Sequence, residues 1–140
     1  MRGKLSVEIV TQEGVPYQGE VEGVVAPGVG GYFGVLPRHA PLIAELGVGD
    51  LRLREGAEWE HFALAGGIFH VRDGVAVVLA DAVEAAEEID VQRAQEAHGR
   101  AIHRLRLAKG GPDVDVERAK AALMRALNRL RIAGAKPIDT

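Results

Sequence analysis

Residues 90–107, DVQRAQEAHGRAIHRLRL, mark where the chain changes from one kind of structure to another. Ahead of Asp90, apolar residues fall in short runs broken by glycine; from Val91 onward they recur at helical spacing. Val91, Ala94, Ala101, Ile102 and Leu105 share one face of a predicted helix, roughly opposite a stripe of Arg93, Arg100 and Arg104. A second helix follows the same plan. Its apolar face is Val116, Ala119, Leu123, Ala126, Leu127 and Leu130, and its stripe is Arg118, Arg125 and Arg129. At about 100° per residue, each arginine triplet spans roughly 40° of helix circumference. Like charges four residues apart cost a few tenths of a kcal/mol. A doubled stripe therefore calls for an anion or an acidic partner, against the default of a solvated face.

Asp90 is placed to cap the first helix, and Gly110, Gly111 and Pro112 to end it and turn the chain. Asp113 or Asp115 caps the second, which ends near Gly134. The connection is short, so the arms form an antiparallel hairpin, each about 25 to 30 Å long. Each buried methylene contributes about 0.8 kcal/mol, so alanine faces hold the hairpin weakly, which suits a switch.

Before residue 86 the runs are Leu5–Val10, Val21–Ala26, Tyr32–Leu36, Leu42–Leu46, Leu51–Arg54, Trp59–Ala65, Ile68–Val71 and Val75–Ala80. Their 8- to 12-residue recurrence, with turn signals between, predicts an antiparallel sandwich or barrel. Fourteen of the 18 glycines precede residue 75, where tight turns need them. Leu5, Val7 and Ile9, and again Leu51 and Leu53, put apolar side chains on one face of a half-buried sheet.

Charge divides the chain as periodicity does. Residues 1–90 carry 6 Lys and Arg against 15 Asp and Glu, net −9; residues 91–140 carry 11 against 5, net +6. The larger, acidic part repels phosphate, and an aromatic content of 4% leaves few rings for base stacking, both of which count against nucleic acid. A basic-hairpin module for nucleic acid or another anion stands as the alternative function class. Without cysteine there are neither disulfides nor thiolate metal sites. Ser6 is the one serine, so ordinary acyl-transfer nucleophiles are essentially absent. His39, His61, His70, His98 and His103 lack metal-ligand spacing, and Glu87, Glu88 and Asp90 are what a helix start attracts. No catalytic or metal site is expected. Met1 to Val10 alternates apolar and polar residues, so neither export nor organelle targeting is expected, and no run approaches the roughly 20 apolar residues of a membrane span. Gly28, Gly30 and Gly31 fit a hairpin turn better than a phosphate loop. Pro37 and Pro41 stiffen a corner in which His39 can offer a ring nitrogen to a partner or to a local carbonyl.

Gly34 to Leu42, the Ala65-Gly66-Gly67-Ile68 turn, the Val78 to Asp81 strand and the two-helix tail, taken together and in order, resemble the epsilon subunit of the F-type rotary ATP synthase over roughly Leu5 to Ala133. The resemblance implies an α+β chain: a β-sandwich of about ten strands at residues 1–86 that binds the rotor, then a regulatory helical hairpin at 87–140. It implies a noncatalytic subunit that contacts the gamma subunit and the ring of membrane c subunits, with His39 at the rotor interface. It further implies a hairpin that inhibits ATP hydrolysis by extending toward the alpha and beta catalytic subunits. Location follows: peripheral, on the cytoplasmic side of a bacterial membrane, held there only through the complex. Ile89-Asp90-Val91-Gln92-Arg93-Ala94 resembles the segment of members that bind ATP as a regulatory ligand. On that likeness Ile89, Asp90 and Ala94 lie near the nucleoside, Arg93, Arg100, Arg125 and Arg129 face the phosphates, and Glu84 contributes from the preceding strand. Where many relatives have Gly-Glu-Leu-Gly, this chain has Gly31-Tyr32-Phe33-Gly34, so the acidic contact to the c ring is not carried over.

Overall fold

A computed structural model of the chain describes residues 3–107 and 115–137. Eight strands come first: β1 (Leu5–Thr11), β2 (Gly14–Val21), β3 (Gly23–Gly28), β4 (Gly31–Val35), β5 (Leu42–Glu55), β6 (Glu58–Arg72), β7 (Val75–Ala80) and β8 (Val83–Ala85). A 3-10 turn, Ala86–Glu88, leads to α1 (Val91–Leu107) and α2 (Val116–Ile132). The chain divides into two units at Ala85/Ala86.

The strands run in the order β2-β1-β7-β6-β5-β3-β4, with β8 also on β6. Pairing is antiparallel except between β1 and β7. One ladder makes two layers of this sheet. β5 and β6 pair without a register shift from Leu42↔Val71 to Glu55↔Glu58. Along β5 the inward positions are Leu42, Ala44 and Leu46, then Leu51 and Leu53; along β6 they are Phe62 and Leu64, then Phe69 and Val71. Even and odd positions exchange roles across Gly47 to Gly49 and across Gly66 and Gly67. Because strand side chains alternate, the ladder must bend there for both halves to face one core.

Gly66 and Gly67 make the bend in β6 possible, with φ of 82° and 142°. A side chain at Gly67 would run into the Leu79 carbonyl, and one at Gly66 would meet Asp81 Oδ2 at 2.5 Å. The Asp81 N–H donates to the Gly66 carbonyl at 3.0 Å, locking the corner where β7 passes on to β8.

Eight continuous strands thus stand where about ten were expected; β5 and β6, each serving both layers, account for the difference. They also join runs that the sequence separated at glycine. β2 was not foreseen, because its side chains are mostly exposed.

Around the bend the core closes on Phe69, Leu5, Ile9, Leu51, Leu53 and Leu64, all fully buried. Phe33 meets Phe69 edge-on with centroids 5.3 Å apart. Outside the β5–β6–β7 layer, Ile43 (72%), Ile68 (47%) and Leu79 (50%) are exposed, and Ile68 and Leu79 are direct cross-strand neighbours.

Candidate functional site: a basic helical hairpin

Both helices start alike. Asp90 Oδ1 accepts the Arg93 N–H at 3.1 Å, and Asp115 Oδ1 accepts the Arg118 N–H at 3.0 Å. Each carboxylate satisfies an amide that has no partner within the helix and faces the positive end of its dipole. Asp115, rather than Asp113, is the cap of α2; Asp113, Gly110, Gly111 and Pro112 lie outside the described residues. α2 closes at Gly134 (φ 77°), with Gly134 N–H to Arg131 O at 3.1 Å and Ala135 N–H to Leu130 O at 2.8 Å.

The buried residues of α1 are Ala94, His98 and Ala101; those of α2 are Ala119, Ala126, Asn128 and Leu130. Ala94, His98 and Ala101 share one narrow arc, as do Ala119, Ala126 and Leu130. The α1 seam departs from expectation. Val91 is 38% exposed, Ile102 and Leu105 are half-buried, and His98 occupies the centre. Small neighbours at Ala94 and Ala101 leave room for the imidazole, which an apolar count passes over.

This shift decides where the arginines point. Each stripe lies roughly a quarter turn from its seam, in the same rotational sense about its own helix axis. Two right-handed helices packed antiparallel carry such stripes onto the same broad face of the hairpin. Arg93, Arg100, Arg104, Arg118 and Arg125 are exposed, and Arg129 is half-buried. None of the ion pairs found among the described residues involves the first five. The result is a concentrated field of guanidinium donors, a group that binds phosphate or carboxylate oxygens in pairs.

Of the other expected site residues, Ile89 and Ala94 are buried and Asp90 is exposed, all at the start of the hairpin unit. Glu84 is half-buried in β8 of the sandwich unit, paired with Ala63. His39, between β4 and β5, is half-buried; its Nδ1 donates to the Ala40 carbonyl at 2.6 Å and its N–H to Leu36 O at 3.1 Å. In the neutral ring Nε2 is then the acceptor. Arg38, with φ of 73°, shapes the same corner. Gly28 and Gly31 flank a two-residue β-hairpin turn. Tyr32 is built into a polar cluster: its hydroxyl accepts the Asp50 N–H at 2.9 Å, Arg52 lies 5.4 Å from its ring centroid, and His61 Nδ1 meets Asp50 Oδ2 at 2.9 Å. Among the described residues no group of three or more His, Asp or Glu is arranged to hold a metal ion.

The two helices also repeat each other in sequence. Residues 90–107 and 115–132 are identical at ten of 18 positions, including Asp90/Asp115, Arg93/Arg118, Ala94/Ala119, Arg100/Arg125, Ala101/Ala126 and Arg104/Arg129. The hairpin is an internal repeat, and its antiparallel packing gives it an approximate two-fold axis.

Sequence families match along the same division. Residues 4–86 fit the ATP synthase delta/epsilon chain β-sandwich domain, and residues 87–134 fit the long alpha-helix domain of the same chain. The chain belongs to the ATP synthase delta/epsilon family. Among relatives, it is 52% identical to the ATP synthase epsilon chain of Carboxydothermus hydrogenoformans over 80% of its length and 82% of that protein's. It is 50% identical to the epsilon chain of Moorella thermoacetica, over 73% and 77%. The fold recurs in a chain of the Euglena gracilis mitochondrial ATP synthase, in a structure of its OSCP/F1/c-ring part, with TM-score 0.74 and 22% identity over 86% of this chain and 76% of that one. It recurs also in the central stalk/c-ring of the Tetrahymena thermophila enzyme, with TM-score 0.58 and 18% identity over 95% and 96%. As a family member of the epsilon type, the chain is a subunit of ATP synthase and not one of its catalytic chains.

Proposed function

We propose that the sandwich fastens to the rotor, at the gamma subunit and the c ring, while the hairpin senses ATP and restrains its hydrolysis. One observation carries the sensing half: two arginine stripes share a face of the hairpin, and five of the six side chains are exposed without a carboxylate partner among the described residues. A triphosphate held by Arg93, Arg100, Arg125 and Arg129 bridges both helices and favours the closed hairpin. Ile89, Asp90 and Ala94, at the start of the hairpin unit, then border the nucleoside. When ATP is scarce the same face is free for acidic surface on the alpha and beta subunits.

Rotor attachment is supported by the exposed Ile43, Ile68 and Leu79 on the outer sheet face and by the rigid His39 corner. Tyr32 gives the c ring an aromatic hydroxyl instead of a carboxylate. No helix of the described residues is long and apolar enough to cross a membrane, and the proposed attachment to the cytoplasmic side of a bacterial membrane runs through the complex.

Calorimetry tests the sensor. ATP binds the full chain at millimolar concentration or below, and Arg93→Ala and Arg129→Ala each weaken it about tenfold or more, the loss of a charge-assisted pair. Absence of binding, or binding that neither variant alters, removes the sensor. Inhibition is checked separately, at arginines outside the proposed ATP set: Arg104→Glu with Arg118→Glu raises ATP hydrolysis by the assembled complex, and unchanged turnover rejects it.

A further inference from the structure

We propose that His98 is a built-in weak point of the hairpin seam, whose identity sets how readily α1 and α2 separate. Three observations carry this. His98 is only 5% exposed, in line with Ala94 and Ala101 on the face of α1 that packs against α2. Its Nδ1 is shielded from solvent and has no hydrogen-bond partner among the described residues. The internal repeat supplies the comparison: the equivalent position in α2 is Leu123, so one half of a near-symmetric seam has an apolar residue where the other has an imidazole of similar size.

A neutral imidazole carries one N–H and one acceptor nitrogen, both satisfied by water when the helices part. On closure Nδ1 loses that partner and gains none, which disfavours the closed state relative to a leucine of similar volume. The seam offers little to offset this, because the other buried residues of α1 are alanines. His98 thus lets a modest ligand energy decide the hairpin's posture. The loosening stands on the seam alone; its regulatory consequence rests on the inhibitory reading above.

Hydrogen exchange of the full chain, without nucleotide, tests it. His98→Leu slows exchange of α1 and α2 amides roughly tenfold or more, and Leu123→His speeds it by a similar factor. His103→Leu, at an exposed position of the same helix, leaves it unchanged. Sandwich amides report that the fold is intact in each variant. Exchange in His98→Leu equal to or faster than in the parent, with the sandwich protected, overturns the proposal. In the assembled complex His98→Leu raises ATP hydrolysis. If exchange slows while hydrolysis does not move, the inhibitory reading falls and the assignment of His98 stands.

Discussion

The two units of this chain are buried by different kinds of side chain. Of the twelve largest fully buried side chains among the described residues, eleven belong to the sandwich and one, Leu130, to the hairpin. Phenylalanine, leucine, isoleucine and valine fill one; alanine, with His98 and Asn128, fills most of the other. Since stabilisation follows apolar area removed from water, the sandwich is the more firmly held platform and the hairpin the more weakly held unit.

The largest effect comes from attacking the platform. Phe69→Ala removes a fully buried ring and its contact with Phe33, and costs about 3 to 5 kcal/mol, read as a lower denaturant midpoint for the sandwich. A loss below about 1 kcal/mol erases the contrast. Leu130→Ala is the matching change in the hairpin and costs about 2 to 3 kcal/mol, confined to α1 and α2 in hydrogen exchange. If sandwich amides open with it, the two units are one cooperative body. Next comes Asp115→Ala, which leaves the Arg118 amide unpaired and costs about 1 kcal/mol, visible as faster exchange in the first turn of α2.

The smallest effect is confined to alkaline pH. Burial, with Glu55 and Glu60 adding, raises the Tyr17 pKa above its ordinary value of 10.0. The folded state therefore holds the phenolic proton more tightly than the unfolded chain does. That contribution is complete below pH 10 and is lost as pH climbs through the raised value. Tyr17→Phe flattens this decline in thermal midpoint and leaves the hairpin untouched; an equal decline in both proteins assigns it to other groups.

Legibility in the sequence follows the same contrast. Strong alternation exposed β1 and the second half of β5, and the change of period at Asp90 exposed both helices. What escaped was set by tertiary context. β2 is an outer strand whose glycines, proline and polar residues carry no core pattern. Gly47 and Gly49, which look like a turn, instead sit inside one continuous strand, because the partner strand bends with them. His98 escaped because polarity argues for solvent, and only the packing of small neighbours opposes it. The candidate site was legible as a pattern of arginines. Their convergence on one face needed the seam, and the repeat that explains it needed the two helices to be laid side by side.

The bend of the β5–β6 ladder has a mechanical meaning. The same two strands run through both layers, so a twisting load applied to one layer reaches the other along continuous, hydrogen-bonded backbone rather than across greasy side chains that can slide. A sandwich of separate sheets can shear; this one is cross-braced.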